Sequence, residues 1–182
     1  MRPARNVMAS GVAAAMLVLS ATPGHAQTDR ETGSLDLTLQ LGFGGHVGES
    51  PSNQVGTGAI ELGYRPNSLA FLVRTEFLAL SQACTDGLSG GCRYPSVGLL
   101  GFSAGIRQSI PVSDRFVPYV GAAGGLYVWT EGSSDPGAAF DLGFAIPTRT
   151  RVSLELGARW RTVWRDPSFS VLTGQVGTRI AF

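Results

Sequence analysis

Residues 170–182 read Ser-Val-Leu-Thr-Gly-Gln-Val-Gly-Thr-Arg-Ile-Ala-Phe and alternate with a period of two. Leu172, Gly174, Val176, Thr178, Ile180 and Phe182 fall on one side, and Thr173, Gln175, Gly177 and Arg179 on the other. Successive side chains of a β-strand point to opposite faces, so this run is an amphipathic strand. Such a strand carries a row of backbone donors and acceptors along each edge, and both rows need partners. The rest of the chain has to supply them.

Seven further segments do so. Over 34–43, Leu35, Leu37, Leu39, Leu41 and Phe43 oppose Ser34, Asp36, Thr38 and Gln40, the cleanest alternation in the chain. Segment 55–65 sets Gly58, Ile60, Leu62 and Tyr64 against Thr57, Ala59, Glu61 and Arg65. Segment 69–80 sets Phe71, Val73, Thr75 and Phe77 against Arg74 and Glu76, with Leu72, Leu78 and Leu80 blurring the pattern. Segment 97–110 places Phe102, Ala104, Ile106 and Ile110 opposite Ser103, Gly105, Arg107 and Ser109. Between 116 and 130 Gly and Ala occupy both faces and leave the phase open, and Pro118 fits only near that strand's start. Segment 139–146 opposes Phe140, Leu142, Phe144 and Ile146 to Asp141 and Gly143. Segment 152–160 opposes Val152, Leu154, Leu156, Ala158 and Trp160 to Ser153, Glu155, Gly157 and Arg159.

The connections are expected to alternate in length. Loops at 44–54, 81–95, 131–136 and 163–167, the first three rich in Gly and Ser, face short Pro-marked turns at 66–68, 111–115 and 147–150. Long loops on one side and tight turns on the other are the asymmetry of barrels that span a membrane with strands. Aromatic residues crowd the strand ends: Tyr64, Phe71, Phe116, Tyr119, Phe144 and Phe182 near the turns, and Phe43, Phe77, Tyr127, Trp129 and Trp160 near the loops. Two such belts fit the two interfaces of a bilayer.

The first 26 residues form a different unit. Arg2 and Arg5 precede the apolar run Gly11–Leu19, and Pro23-Gly24-His25-Ala26 follows it, which are the parts of a secretory signal peptide with cleavage expected after Ala26. The run is too short for a membrane helix, and an uncleaved anchor is the rival reading. Removing 26 of 182 residues leaves 156, enough for one domain, of which 27–33 is a short polar leader and 34–182 the strand domain. The mature chain keeps 12 arginines and no lysine against 13 acids, a charge of −1, and its arginines are scattered singly. Nucleic-acid binding needs a clustered basic face, so none is expected.

Charges within the strands lie opposite the apolar positions. Asp36, Glu61, Glu76, Asp141 and Glu155, with Arg65, Arg74, Arg107, Arg159 and Arg179, would share the lumen of a membrane barrel and pair there, since buried charges persist only when compensated. An eight-stranded interior is just wide enough for side chains to fill it, so no open aqueous channel is expected. Periodicity alone also admits a soluble barrel with its apolar face inside, holding a small apolar ligand. The signal peptide, the loop asymmetry and the terminal Phe favour the membrane barrel.

In strand count, loop alternation and its last strand, the chain from Ser34 to Phe182 resembles the small eight-stranded outer-membrane barrels of the OmpA/OmpX type. Pro118-Tyr119-Val120-Gly121-Ala122 resembles a Pro-Tyr-Val-Gly segment common in their barrel domains. The resemblance implies an all-β, eight-stranded antiparallel up-and-down transmembrane barrel, surrounded by outer-membrane lipid. It also implies that Val176, Thr178, Ile180 and Phe182 form a C-terminal signal read by the barrel assembly machinery. It departs from the OmpA architecture in that no periplasmic domain is expected after the barrel.

Candidate chemistry is sparse. Cys84 and Cys92 share loop 81–95, and an even cysteine count in an exported chain points to a disulfide, stabilising by about 2–3 kcal/mol. A metal site would need more ligands than these and His46, and neither a metal nor another cofactor is expected. His46, Glu49 and Ser50 offer the elements of a Ser-His-acid set, but on one Gly/Ser/Pro-rich loop, where a solvated histidine is the simpler reading. Some outer-membrane barrels modify lipid A, yet no motif here matches them. The expectation is therefore a non-enzymatic outer-membrane barrel with a structural or surface-interaction role carried by its loops, for an extracellular partner that the sequence leaves unnamed.

Overall fold

The structure is a computed structural model and describes residues 33–47, 53–82, 97–148 and 150–182. Its elements are eight strands: β1 (Ser34–His46), β2 (Asn53–Arg65), β3 (Leu69–Gln82), β4 (Val97–Ser109), β5 (Val117–Trp129), β6 (Ser134–Pro147), β7 (Val152–Val163) and β8 (Phe169–Ala181). Each pairs antiparallel with its neighbours in chain order, and β8 returns to β1 to close the barrel. The closing ladder runs from Asp36 opposite Ala181 to His46 opposite Val171. Two further bonds extend it, Phe182 N–H to the Leu35 carbonyl at 2.8 Å and Val47 N–H to the Ser170 carbonyl at 2.9 Å. Closure removes both sheet edges, which is what allows strands to cross lipid.

Register fixes which face each residue takes. The outward rows are apolar and exposed, as at Leu41 (68 %), Val73 (63 %) and Leu142 (64 %). On β3 the outward row runs from Leu69 through Phe71, Val73, Thr75 and Phe77 to Ala79. Ten residues of strand, inclined as barrel strands are, cover about 25 Å of membrane thickness. The charged residues point the other way and are buried. A soluble barrel around an apolar ligand needs the opposite arrangement, so the structure overturns that alternative.

Several boundaries differ from the sequence reading. Gly44–His46 continue β1 rather than opening a loop. The connection expected at 131–136 is only residues 130–133, and Pro136 lies inside β6. Gly132, at φ +91°, makes that tight turn possible, with Gly132 N–H bonded to the Trp129 carbonyl at 2.8 Å. Pro136 is tolerated because its carbonyl still accepts from Trp164 N–H at 2.9 Å. The β4–β5 connection, residues 110–116, is the longer of these two, folded back on itself by paired bonds between Ser113 and Phe116. Loop asymmetry is therefore weaker than expected at this pair of connections.

Three aromatics assigned to the lipid belts face inward instead. β5 turns out to point Tyr119, Tyr127 and Trp129 into the lumen, and all three are buried. Their rings need space that only glycine leaves. A Cβ on Gly157 would stand 2.8 Å from the Tyr119 hydroxyl, and one on Gly101 or Gly137 would stand 2.7 Å from the Tyr127 ring. The outer belts consist instead of Tyr64, Phe71, Phe116, Phe144 and Phe182 on the side of the turns, and Phe43, Phe77, Trp160 and Trp164 on the side of the loops.

Candidate functional site

Most inward positions on the turn-side two-thirds of the barrel are polar, small or a tyrosine, with Leu72 the large apolar exception, and the long polar ones reach across the lumen. Glu76 on β3 is the hub of the upper tier. Its carboxylate accepts from Arg161 Nη2 at 2.7 Å and Nε at 3.0 Å, accepts from the Tyr127 hydroxyl at 3.2 Å, and lies 3.3 Å from Arg74 Nε and 3.6 Å from Arg159 Nε. Arg161 belongs to β7, on the far side of the barrel from β3, so this bridge spans the interior. Arg159 turns its Nη1 to Asp141 at 2.7 Å.

The chain of pairs continues toward the turns. Glu61 joins Arg107 at 2.9 Å and Arg74 at 3.4 Å. Glu155 joins Arg107 at 3.4 Å and Arg179 at 3.1 Å and accepts from Gln40 Nε2 at 3.1 Å. Arg65 and Asp36 close the sequence at 3.2 Å, at the mouth, where the Arg65 side chain is 18 % exposed. Gln40 Oε1 accepts from Arg74 at 2.6 Å. The Gln175 amide, set so that its nitrogen donates to Gln40 at 3.0 Å, accepts from Arg161 at 2.8 Å. The Arg107 guanidinium lies over the Tyr119 ring, 4.5 Å from its centroid.

All ten charges expected in the lumen are placed on this inner face. The sequence reading missed Arg161, because it ended the seventh strand at Trp160; two-residue alternation from Arg159 would have found it. With it, six arginines face five carboxylates. Their excess of N–H donors leaves Arg65 Nε, Arg107 Nε and both Nε and Nη2 of Arg159 buried without an acceptor.

On the side of the loops the lumen changes character. Val55, Leu78, Leu99, Tyr127, Trp129, Val163 and Val171 form a buried cluster, with Leu80, Val97 and Phe169 packed against it. Leu78 and Leu80, which blurred the alternation of β3, are its inward residues. Above it the Phe169 ring meets Trp129 at 5.8 Å and His46 at 5.1 Å, while Arg165 stacks on Trp129 at 4.8 Å. His46 is thus not a solvated loop residue. It ends β1, pairs opposite Val171 and is half-buried, its Nδ1 without a partner. Glu49, Ser50, Cys84 and Cys92 lie outside the described residues, as do the signal peptide and all of the leader but Gly33. Among the described residues, no group of three or more His, Cys, Asp and Glu side chains converges on a point that could hold a metal.

Val176, Thr178, Ile180 and Phe182 form the outward row of β8, with Val176 and Phe182 well exposed toward lipid. Phe182 is held to the first strand by its own amide, so the end of the last strand is also the seam of the barrel.

No family model matches the chain, and no curated protein matches it in sequence. Solved structures do match in shape. Neisserial surface protein A superposes with a TM-score of 0.63 at 18 % identity, covering 82 % of this chain and 97 % of that one. The N-terminal β-barrel domain of Pseudomonas aeruginosa OprF gives 0.51 at 9 % identity, over 82 % and 97 %. The outer membrane enzyme PagL gives 0.50 at 9 % identity, over 79 % and 98 %. Proteins of different roles share this architecture, so the likeness carries fold rather than activity. A closed eight-stranded antiparallel barrel with an apolar exterior and a paired-charge interior is the fold of the small outer-membrane barrels, and this chain has that fold.

Proposed function

We propose that the protein is an integral barrel of the bacterial outer membrane, without enzymatic activity, whose role is structural or lies in surface interaction through its loop end. The observation that carries this reading is the inversion of faces: arginines and carboxylates are buried and paired inside, while leucine, valine and phenylalanine cover the outside. Such an exterior is stable only in lipid, and such an interior leaves no room for a substrate. What remains available to other molecules is the end that carries the connections after β1, β3, β5 and β7.

The test is mobility of the membrane fraction on SDS gels, cold against boiled, combined with proteolysis of whole cells. A band that shifts on boiling, with cuts confined to the connections at the loop end, supports the reading. An unshifted band in the periplasmic fluid rejects it. The mass of the mature protein, expected to begin at Gln27, tests export in the same preparation.

A lipid-modifying role is the rival, favoured by the unpartnered His46 Nδ1. It requires that His46→Ala abolish a change in lipid A mass. An unaltered lipid A profile in cells lacking the gene removes it.

A further inference from the structure

The lumen has two layers of opposite chemistry, and only one of them can hold water. On the side of the turns Arg65 and Ser153 reach partly into solvent at the mouth. On the side of the loops Val55, Leu78, Leu99, Tyr127, Val163 and Val171 are at most 1 % exposed and come from β2, β3, β4, β5, β7 and β8. They therefore meet from all round the wall. β1 and β6 contribute glycine at this level, Gly44 packed against the β8 backbone and Gly137 under the Tyr127 ring. Tyr127 joins the layers, its ring in the apolar cluster and its hydroxyl on Glu76 at 3.2 Å.

We propose that the barrel is sealed against ions by this apolar stopper and not by the ion-pair ladder, so that the lumen is a well open only at the end where β1 begins and β8 ends. Ion pairs can exchange partners, and six arginines sharing five carboxylates offer many alternative pairings. An ion entering from the mouth finds groups that replace its water. At the stopper it finds valine, leucine and aromatic rings, and an apolar constriction empties of water and stops conduction. The inference rests on the transmembrane reading above, and the same preparation checks both.

The full chain, confirmed as a folded barrel by its shift on boiling, is placed in planar bilayers. Wild type is expected to show no conductance at either polarity. Glu155→Gln, which breaks the ladder, is expected to stay silent, whereas Leu78→Ser with Leu99→Ser, directly opposite across β3 and β4, is expected to conduct. Thiol labelling in micelles, with Cys84 and Cys92 replaced by serine, gives a second measurement. A charged thiol reagent should modify Ser153→Cys at least 100-fold faster than Val163→Cys, although both point inward from β7. Conductance by wild type, opening of Glu155→Gln alone, or equal labelling at 153 and 163 overturns the proposal. If the double serine variant fails to shift on boiling, wild-type conductance and the labelling ratio decide.

Discussion

Glu76 has four partners in the lumen, as many as Arg74. Three guanidiniums and a phenol converge on one carboxylate that is 1 % exposed. Replacing it with glutamine leaves Arg74, Arg159 and Arg161 facing one another with two neighbouring acids, Glu61 on Arg74 and Asp141 on Arg159. Removing one partner of a buried ion pair costs about 3–5 kcal/mol, because the charges left behind stay desolvated. Glu76→Gln is therefore expected to lower unfolding free energy in urea by that order, measured on barrel refolded into vesicles. Asp36→Asn is expected to cost markedly less, since its partner Arg65 sits at the mouth where water can solvate it. Equal losses at the two sites would mean that the interior is wet throughout.

At the scale of the strand, the glycines separate two kinds of position that composition treats alike. Gly101 faces inward on β4, and a side chain there meets Tyr127 at 2.7 Å and the Glu76 stem at 3.0 Å. Gly56 lies on β2 with nothing within 4 Å of where its Cβ would be. Gly101→Val is expected to destabilise the barrel by about 1–3 kcal/mol through overpacking, while Gly56→Ala is expected to be neutral, both read from the same urea midpoints. The connection between β3 and β4 carries Cys84 and Cys92, for which a disulfide is the proposal. Non-reduced protein should yield no free thiol on titration after denaturation, and two after reduction; two thiols before reduction would remove the bridge.

For the molecule as a whole, the deciding experiment puts a charge on the apolar surface. Leu142 on β6 is 64 % exposed, flanked on the same face by Phe140 and Phe144. Leu142→Arg would be nearly silent on a protein in water, but facing the middle of a bilayer it is expected to cost about 2–4 kcal/mol, seen as reduced insertion into vesicles. Strand number, strand order and the sides taken by the ten charges were legible in the chain, because a period of two and a run of turn residues are local properties. Alternation read only to Trp160 hides Arg161, and Gly44–His46 read as loop, because where pairing ends depends on the neighbouring strand, as β8 shows by holding β1 out to Val47. The phase of β5 was illegible because alanine and glycine fit either face. Only the wall around it, with glycines at 101, 137 and 157 clearing space for rings, decided that Tyr119, Tyr127 and Trp129 point inward. By itself the sequence determined an eight-stranded amphipathic sheet, since alternation is written residue by residue. Which face is inside, which acid meets which arginine, and that an apolar stopper caps a charged well were decided only when closure brought β3 opposite β7, because those contacts join residues as far apart as Glu76 and Arg161, 85 positions along the chain.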